Sequence, residues 1–427
     1  MRYELSEQHL DRAEESIPLG SQTFSKSRTQ YPVGVSPLYL KKSKGPYSWD
    51  IDGNKYIDLV SSLAAVTIGY GDKKITKSVK KQLKSGVTLS LPTRLEAEVA
   101  EMLIDMIPSA EKVRFGKNGS DATSAAIRLA RAYTGRDQIA MCGYHGWQDW
   151  SIASTTRNKG IPKSVIDLTH SFKYNDLSSL EVIFSRFPRD IAAVIMEPMN
   201  IMYPNPGFLE SVKDLAHRNG ALLIFDETIT GFRFSNGGGQ ELFGVTPDLS
   251  TFGKGIANGF PLSAVVGSSD VMAQMSEIFF SGTFGGELLS LQAAKTSLQM
   301  YKDENVVARL FEIGEKLNNG VSEILKGYEM DSYLTLSGHP TWKFITWSKV
   351  SDFNEMQLKT YFLQECFAEG LLVLNSNNVT LSHTPKVVNK ALDKYEVVLS
   401  RIAKSIQKKS LLENLKVGPL QALFKVR

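Results

Sequence analysis

The stretch STFGKGIANGFPLSA contains one lysine, Lys254, between two glycines at the end of a β-like run. A long cationic side chain is rarely placed in a turn of small residues merely to be solvated. Desolvation lowers the pKa of a lysine and so frees its amine to attack carbonyl groups. We therefore predict that Lys254 is a nucleophile that forms a Schiff base.

A carboxylate precedes this lysine at the end of another apolar run, LLIFD, which ends at Asp226. A buried carboxylate is costly unless it is paired, and the protonated ring nitrogen of a ligand is a suitable partner. Two alternatives stay open for Asp226, a charge pair with Arg233 and an N-cap. Glu197 ends the neighbouring run IAAVIME and either orients Asp226 or a water, or is a solvated acid at the sheet end.

Three further stretches carry groups that suit a flat, phosphorylated ligand. Gly119 and Ser120 follow the strand-like VRFG and open a helix, so they either bind phosphate or simply cap the helix. Tyr144 in GYHGWQDW either stacks on a ring or is a rim aromatic, and Thr283 lies in the glycine-rich FSGTFGGE. Together with Lys254, these residues specify pyridoxal 5′-phosphate.

Such residues meet only if strands end at one edge of a sheet. From residue 62 to 302, apolar strand-like runs alternate with helical ones, which predicts a mostly parallel sheet with helices on both faces. Open sheets of this kind bind ligands outside the carboxyl ends of their strands. Residues 1–61 are predicted to join a small domain, and 303–427 to form that α+β domain with an apolar tail packed on the body or on a partner subunit.

Composition excludes several other classes of protein. The 427 residues carry a net charge of +4 and no basic stripe with interleaved aromatics, which argues against nucleic-acid binding. Cys142 and Cys366 form no C-x-x-C pair and the six histidines show no ligand spacing, so no metal site is expected. Without a long apolar run or a signal peptide, we expect a soluble, cytoplasmic protein with no membrane partner.

The motifs resemble those of the class-III, fold-type I pyridoxal-phosphate aminotransferases, and most closely the glutamate-1-semialdehyde 2,1-aminomutase branch. The likeness extends from about Gly20 to His383 and is carried by NGSDATSAAIRLARAYTGRD, YHGW, IMEPM, IFDETITGFR, PDLSTFGKGIANGFPLSAVVG and GTFGG. It implies a large domain with a mostly parallel sheet flanked by helices and a smaller α+β domain. The implied enzyme is a pyridoxal-phosphate-dependent aminotransferase.

The resemblance also implies a role for each candidate residue. Lys254 corresponds to the Schiff-base lysine and Asp226 to the partner of the ring nitrogen. The phosphate is implied to bind at Gly119 and Ser120, and the ring to stack on Tyr144. Two more residues complete the implied set. They are Asn200, at the ring hydroxyl, and Thr283, which reaches the phosphate of the neighbouring subunit's cofactor in a homodimer with shared active sites.

The substrate half departs from the aminomutases. Their arginine-containing GGVNSPVR corresponds to GSQTFSKSR here, with Ser25 or Lys26 near the place of the arginine. Their Ser-Gln-Phe-Glu stretch corresponds to LNSNNVTLSHT, which has no acid, and their GSWGPMILGHAHP to SSLAAVTIGYGDKK. The cofactor half is kept while the substrate half is altered, which argues against the aminomutase reaction.

Three functions therefore compete. The first is a transaminase for a small keto, aldehyde or sugar-related acceptor, with surface-polysaccharide precursor synthesis as one setting. The second is the aminomutase, an isomerase, and the third is a non-catalytic cofactor-binding module, against which Lys254 and Asp226 both argue. The basic loop TTRNKGIPKS either closes over a substrate anion through Arg157 or is a solvated surface loop.

Overall fold

The computed structural model describes residues 1–421. The end of the predicted apolar tail, residues 422–427, lies outside the described residues. The chain divides into two compact units, one of residues 73–308 and one that combines residues 1–72 with the described residues from 309 onward. The domain limits predicted from the sequence, 1–61, 62–302 and 303–427, stay a prediction.

The larger unit is built on a seven-stranded sheet in the order β4-β10-β9-β8-β7-β5-β6. Its strands are β4 (Lys112–Gly116), β5 (Gln138–Cys142), β6 (Thr169–Ser171), β7 (Ile191–Met196), β8 (Leu222–Asp226), β9 (Leu249–Phe252) and β10 (Ser263–Gly267). The five strands from β9 to β6 run parallel, and only β10 is antiparallel to its neighbours within the described sheet. The predicted, mostly parallel sheet is confirmed.

Helices cover both faces of this sheet. The unit contains α3 (Lys73–Leu83), α4 (Arg94–Met106), α5 (Gly119–Thr134), α6 (Asp149–Ile152), α7 (Lys163–Ile166), α8 (Leu177–Arg186), α9 (Phe208–Arg218), α10 (Gly239–Phe243), α11 (Ser269–Met272) and α12 (Leu288–Asp303). Successive strand residues point to opposite faces: Ile195 and Ile224 lie in the core that includes α5, whereas Val194 and Leu223 lie in the core that includes α8 and α9. Burial on both faces explains why β7 and β8 are continuous apolar runs.

The smaller unit contains two further sheets. The first has the order β1-β2-β3-β13 and the second β11-β12-β14. The strands are β1 (Leu40–Lys44), β2 (Tyr47–Asp50), β3 (Lys55–Asp58), β11 (Leu334–His339), β12 (Trp342–Trp347), β13 (Leu371–Leu372) and β14 (Ser376–Asn378). The helices are α1 (Glu4–Glu14), α2 (Ser61–Ala64), α13 (Val306–Gly327), which begins just before the unit boundary, α14 (Glu355–Ala368), α15 (Pro385–Gln407) and α16 (Leu411–Asn414). No helix in residues 1–421 is long and apolar enough to cross a membrane.

The short α2 is a left-handed turn, since the φ angles of Ser61–Ala64 lie between 49° and 65°. This conformation costs roughly 1–2 kcal/mol per residue for side chains other than glycine. Asp58 stabilises the turn, because its Oδ1 accepts hydrogen bonds from the N–H groups of Val60 and Ser61 at 3.0 and 2.8 Å. The Ser61 hydroxyl donates to the Asn378 carbonyl at 2.6 Å, which ties the turn to β14.

Candidate active site

Four adjacent parallel strands, β5, β7, β8 and β9, end at the same edge of the large sheet. Each strand places ionisable or aromatic side chains at or just beyond its carboxyl end: Tyr144 and His145, Glu197, Asp226, and Lys254. β4 is antiparallel to β10 and therefore parallel to β9, so the beginning of α5 lies at this edge too. The sheet brings the predicted residues together where an open α/β sheet binds its ligands.

Asp226 forms a buried ion pair with His145. The His145 Nδ1 lies 2.9 Å from the Asp226 Oδ2, and the His145 Nε2 lies 3.0 Å from the Cys142 carbonyl oxygen. A carbonyl can only accept, so Nε2 carries a proton. The proton between Nδ1 and Asp226 then makes His145 an imidazolium facing a carboxylate.

The pKa directions agree with this charge state. Burial opposes charge on both groups, but the hydrogen bond and charge of Asp226 raise the pKa of His145 above its ordinary value. In the same way, His145 and Thr228 hold the pKa of Asp226 below its ordinary value in spite of burial. The structure gives Asp226 a histidine as its ion-pair partner, and the alternative of a charge pair with Arg233 stays a prediction.

The remaining partners of Asp226 leave room for one more donor. The Thr228 N–H and the Thr251 hydroxyl both donate to Oδ1 at 3.1 Å, and His145 donates to Oδ2. A carboxylate has about four acceptor sites, and residues 1–421 fill three of them. Asp226 can therefore accept a hydrogen bond from the N–H⁺ of a ligand ring.

Lys254 begins a 3₁₀ turn directly after β9, and its φ of 41° lies in the left-handed region. Strained backbone of this kind is concentrated at functional sites. Burial lowers the pKa of Lys254 to about 8, although the negative charges of Glu197 and Asp226 oppose the shift. Near pH 8, the Lys254 amine is therefore neutral in a substantial fraction of the protein molecules, as a nucleophile requires.

Glu197 is a partly buried acid beside this lysine. Burial and the charge of Asp226 raise the pKa of Glu197 to about 7, while His145 and Lys254 lower it. The Asn200 Nδ2 donates a hydrogen bond to Glu197 Oε2. This bond places the Asn200 amide next to Glu197 at the same edge of the sheet. Contact of Asn200 with a ring hydroxyl stays a prediction.

The first turn of α5 is a suitable anion site. The first N–H groups of a helix have no acceptor inside the helix, and the positive end of the dipole lies there. Asp121 is turned back to the preceding backbone, where it accepts the N–H groups of Lys117 and Asn118 at 3.0 and 2.8 Å. Asp121 therefore does not accept from the N–H groups of Gly119 and Ser120, and these two groups can donate to a ligand phosphate.

The loop after β5 is fastened to α5. The Thr123 hydroxyl donates to the His145 carbonyl at 2.7 Å, and the Trp150 indole donates to the Ser124 hydroxyl at 2.9 Å. These bonds fix the backbone on which Tyr144 stands. Its side chain is 47% exposed, and burial of the rest together with the charge of Asp226 raises the pKa of its phenol.

Two predicted residues lie on the surface of the chain. Thr283 is exposed in the glycine-rich loop before α12, and Arg157 is exposed between α6 and α7. Neither is buried with Asp226 and Lys254. Contact of Thr283 with a neighbouring subunit's cofactor and of Arg157 with a substrate anion both stay predictions.

Comparison with known proteins identifies the family. The model of the class-III aminotransferase family matches residues 30–405. The chain belongs to the class-III aminotransferases. It is 34% identical over 390 residues to a glutamate-1-semialdehyde 2,1-aminomutase of Aquifex aeolicus, an alignment that covers 85% of this chain and 92% of that protein.

Solved structures agree with this assignment. The FumI protein of Sphingopyxis sp. MTA144, solved with pyridoxal phosphate, is 26% identical with a TM-score of 0.88, over 97% of this chain and 98% of that one. An omega-transaminase of Sphaerobacter thermophilus is 27% identical with a TM-score of 0.85, over 93% and 97%. The predicted family, fold class and enzyme class are confirmed, and the family is pyridoxal-phosphate-dependent.

Sequence reasoning missed what His145 and Thr251 do in this class-III aminotransferase. His145 directly follows Tyr144 in GYHGWQDW, and no local signal links it to a carboxylate 81 positions away. The register of the sheet supplies the link for Thr251, which lies directly opposite Asp226 in the pairing of β8 with β9. Both roles depend on the order of the strands in the sheet, because that order decides which strand ends are neighbours.

The His145–Asp226 pair predicts a defined pH dependence of stability. The lowered pKa of Asp226 stabilises the fold above its ordinary value of about 4, and this stabilisation is lost as pH falls through the folded value. The raised pKa of His145 stabilises the fold below about 6.5, and this stabilisation is lost as pH rises through its folded value. The pair is therefore strongest between about pH 4 and 6.5.

We expect His145→Gln to lower the free energy of unfolding by roughly 3–5 kcal/mol at pH 5.5, because it strands a buried carboxylate. The difference from the parent protein should shrink toward pH 9. The matched control is His217→Gln, which removes a 2.9 Å pair with Asp248 at the surface and should cost less than about 1 kcal/mol. Urea unfolding at both pH values measures this, and a pH-independent loss in His145→Gln would refute the ion pair.

Proposed function

We propose that this chain binds pyridoxal 5′-phosphate and transfers an amino group from an amino donor to a small keto, aldehyde or sugar-related acceptor. The observation that carries the proposal is a lysine whose pKa is lowered to about 8 at a sheet edge that also holds a paired aspartate. Membership of the class-III aminotransferases supports the same reaction class.

The residues present fit this cofactor. Gly119 and Ser120 offer N–H groups for the phosphate, Asp226 has one acceptor site for the ring nitrogen, and Tyr144 presents a half-exposed ring. A Cβ atom on Gly119 would lie 3.0 Å from Thr228 Cγ2, so the start of α5 has no room for a side chain on that face. When bound, the cofactor supplies an aldehyde for amines and a ring that withdraws electrons.

The chain's own residues supply the proton transfers. Lys254 Nζ, neutral in part near pH 8, accepts a proton from the substrate carbon and returns it later in the reaction. Asp226 keeps the ring nitrogen protonated because His145 keeps Asp226 ionised. Glu197 holds negative charge beside Lys254 Nζ and so favours its protonated form after it has accepted the proton.

Two readings of the substrate remain, and each has support. The Aquifex relative is named an aminomutase, whereas the Sphaerobacter structure is an omega-transaminase. The segments that depart from the aminomutases meet within the smaller unit: Lys26 Nζ lies 3.5 Å from Ser62 Oγ, and Ser61 Oγ lies 2.6 Å from the Asn378 carbonyl. A changed cluster rather than scattered substitutions favours a different substrate, and hence the transaminase.

The transaminase reading predicts turnover that requires two substrates. The cofactor-loaded protein is incubated with a panel of amino donors and with keto acids, aldehydes and keto-sugars, and the keto and amine products are identified by mass spectrometry. We expect products only when a donor and an acceptor are both present, and none from Lys254→Ala. Isomerisation of glutamate-1-semialdehyde without an acceptor would establish the aminomutase instead.

We also propose that Arg157 contacts an anionic group of the acceptor, since a guanidinium suits oxyanions. Arg157→Ala should then raise the KM for anionic acceptors several-fold at low ionic strength and less at high ionic strength, because salt screens the attraction. Equal KM values for the variant and the parent at low salt would show that the loop is only a connector.

A homodimer is the third part of the proposal, with Thr283 reaching the cofactor of the second copy. Large apolar side chains are exposed around this residue: Phe279 is 82%, Phe284 59% and Leu91 79% exposed. The two segments that carry them meet where the Leu288 N–H donates to the Val87 carbonyl at 2.8 Å. Patches of this kind mark protein interfaces, and the cofactor-shared site requires a second copy as the occupant.

Phe279→Lys should therefore dissociate the dimer and weaken cofactor binding, because it puts a charge into the interface. Val182→Lys is the matched control, since Val182 is 66% exposed on α8, away from these segments. Sedimentation velocity measures the mass of each variant. A monomeric parent protein, or a dimer that tolerates Phe279→Lys, would exclude this interface.

A further inference from the structure

Glu227 is a buried carboxylate that the proposed reaction does not use. It directly follows Asp226 at the end of β8, and its side chain is fully buried. Its carboxylate accepts hydrogen bonds from the N–H groups of Gly239 and Gln240 at 2.7 and 2.8 Å. The Thr230 hydroxyl and the side-chain amide of Gln240 donate to it as well. Protein donors therefore fill the roughly four acceptor sites of this carboxylate.

These donors require an ionised carboxylate. A carboxylate only accepts hydrogen bonds, whereas a protonated carboxyl or an amide of the same shape would turn a donor toward the converging N–H groups. Burial works against the charge and raises the pKa of Glu227 to about 7, although the four donors lower it. A buried charge costs stability, so its presence needs a reason beyond filling space. The charge holds the loop of residues 236–240, which we call the glycine loop.

The glycine loop is fastened to the neighbouring strand β9. The Gln240 Nε2 donates to the Ser250 Oγ at 3.0 Å. Ser250 immediately precedes Thr251, whose hydroxyl donates to Asp226 Oδ1 at 3.1 Å. The loop that Glu227 holds therefore contacts the strand that supplies one of the donors to Asp226.

The glycine loop also lies against the end of β7. A Cβ atom on Gly239 would lie 2.6 Å from Pro198 Cγ, so the loop backbone packs closely on this proline. Pro198 directly follows Glu197, whose charge, together with that of Asp226, opposes the lowering of the pKa of Lys254 by burial. The glycine loop therefore contacts the ends of β7, β8 and β9, the strands that position these three ionisable side chains.

We propose that Glu227 is a positioning residue for the reaction, because its charge fixes the glycine loop and the loop fixes Glu197 and Asp226 relative to Lys254. This inference rests on the proposed function, since it takes Lys254 as the reacting amine. Glu227 acts through the loop rather than by contact with the substrate. A misplacement of about 1 Å caused by a distant substitution can lower a rate on the order of a hundredfold.

Two variants loosen the glycine loop to different extents. Glu227→Gln keeps the shape of the side chain but turns an NH2 group toward the donors, and Thr230→Val removes one donor and keeps the others. Glu241→Gln is the matched control, since Glu241 is exposed beside the same loop and accepts the Gly237 N–H at 2.6 Å. Val212→Ala controls for loss of stability alone, because it opens a cavity in the core that includes α8 and α9.

Each variant is characterised by its melting temperature, by the pKa of Lys254 in the cofactor-free protein, and by kcat and KM of the cofactor-loaded enzyme. The pKa of Lys254 is obtained from the pH dependence of its acetylation by acetic anhydride, followed by mass spectrometry of the peptide. This measurement needs neither the cofactor nor a substrate.

We expect Glu227→Gln to lower kcat roughly ten- to hundredfold while KM stays within about twofold of the parent value. The pKa of Lys254 should fall as well, because the charges of Glu197 and Asp226 that raise it are displaced. Thr230→Val should change both quantities in the same direction by smaller amounts. Glu241→Gln and Val212→Ala should keep the parent kcat and the parent pKa of Lys254, although Val212→Ala lowers the melting temperature.

A purely structural role would lower the melting temperature of Glu227→Gln and leave kcat and the pKa of Lys254 unchanged, and this result would overturn the inference. If Glu227→Gln does not fold, Thr230→Val decides by the same criterion. Equal losses in Val212→Ala would also overturn it, because destabilisation alone would then explain them. If the parent protein transfers no amino group, the proposed function fails, whereas the pKa of Lys254 in the cofactor-free variants still tests the positioning.

Discussion

The burial of charge at one sheet edge is the constraint on which the rest of the site depends. Desolvation raises the pKa of Glu197 and lowers that of Lys254, and it acts against the ionised form of Asp226 as well. Asp226 stays ionised because His145 lies 2.9 Å away and carries a second proton that the Cys142 carbonyl holds in place. One histidine thus fixes the charge of the carboxylate, and the carboxylate in turn is positioned to fix the charge of a ligand ring.

The glycines around the site are required because neighbouring chain segments approach each other closely there. Gly143 has a φ of 104°, and a Cβ atom there would lie 3.2 Å from Glu197 Oε2. Gly253 and Gly119 approach each other across Thr228, and a Cβ atom on Gly253 would lie 3.9 Å from Gly119 Cα. Small residues therefore let the turn that carries Lys254 and the helix α5 approach each other closely, which larger residues would prevent.

Much of the large unit could be predicted from the sequence, because its signals are local. The apolar runs that became β7 and β8 and the glycine turn that opens α5 marked the strand ends, and Asp226 and Lys254 followed from them. His145 could not be predicted, since its role depends on which strands are neighbours. β5 and β8 both flank β7 in the sheet, and nothing in GYHGWQDW indicates that order. β5 ends at Cys142, so Tyr144 and His145 lie in the loop beyond the strand.

The smaller unit was harder to anticipate for the same reason. β13 pairs in parallel with β3, which joins Leu371 to Ile57 across most of the chain. The left-handed turn Ser61–Ala64 has no glycine to indicate it, and it depends on Asp58 and on Asn378 in a distant strand. Such features follow from long-range pairing, which local periodicity does not contain.

The central claim is that Lys254 is the amine that reacts with the cofactor. Borohydride reduction of the cofactor-loaded protein, followed by proteolysis and mass spectrometry, tests it directly. We predict a single cofactor adduct on the peptide that contains Lys254, with none in Lys254→Ala. The informative competitor is Lys117, which stands beside the first turn of α5 and pairs with Glu287 at 3.1 Å. An adduct on Lys117 or on any other lysine of the parent protein, with Lys254 unlabelled, would contradict the account.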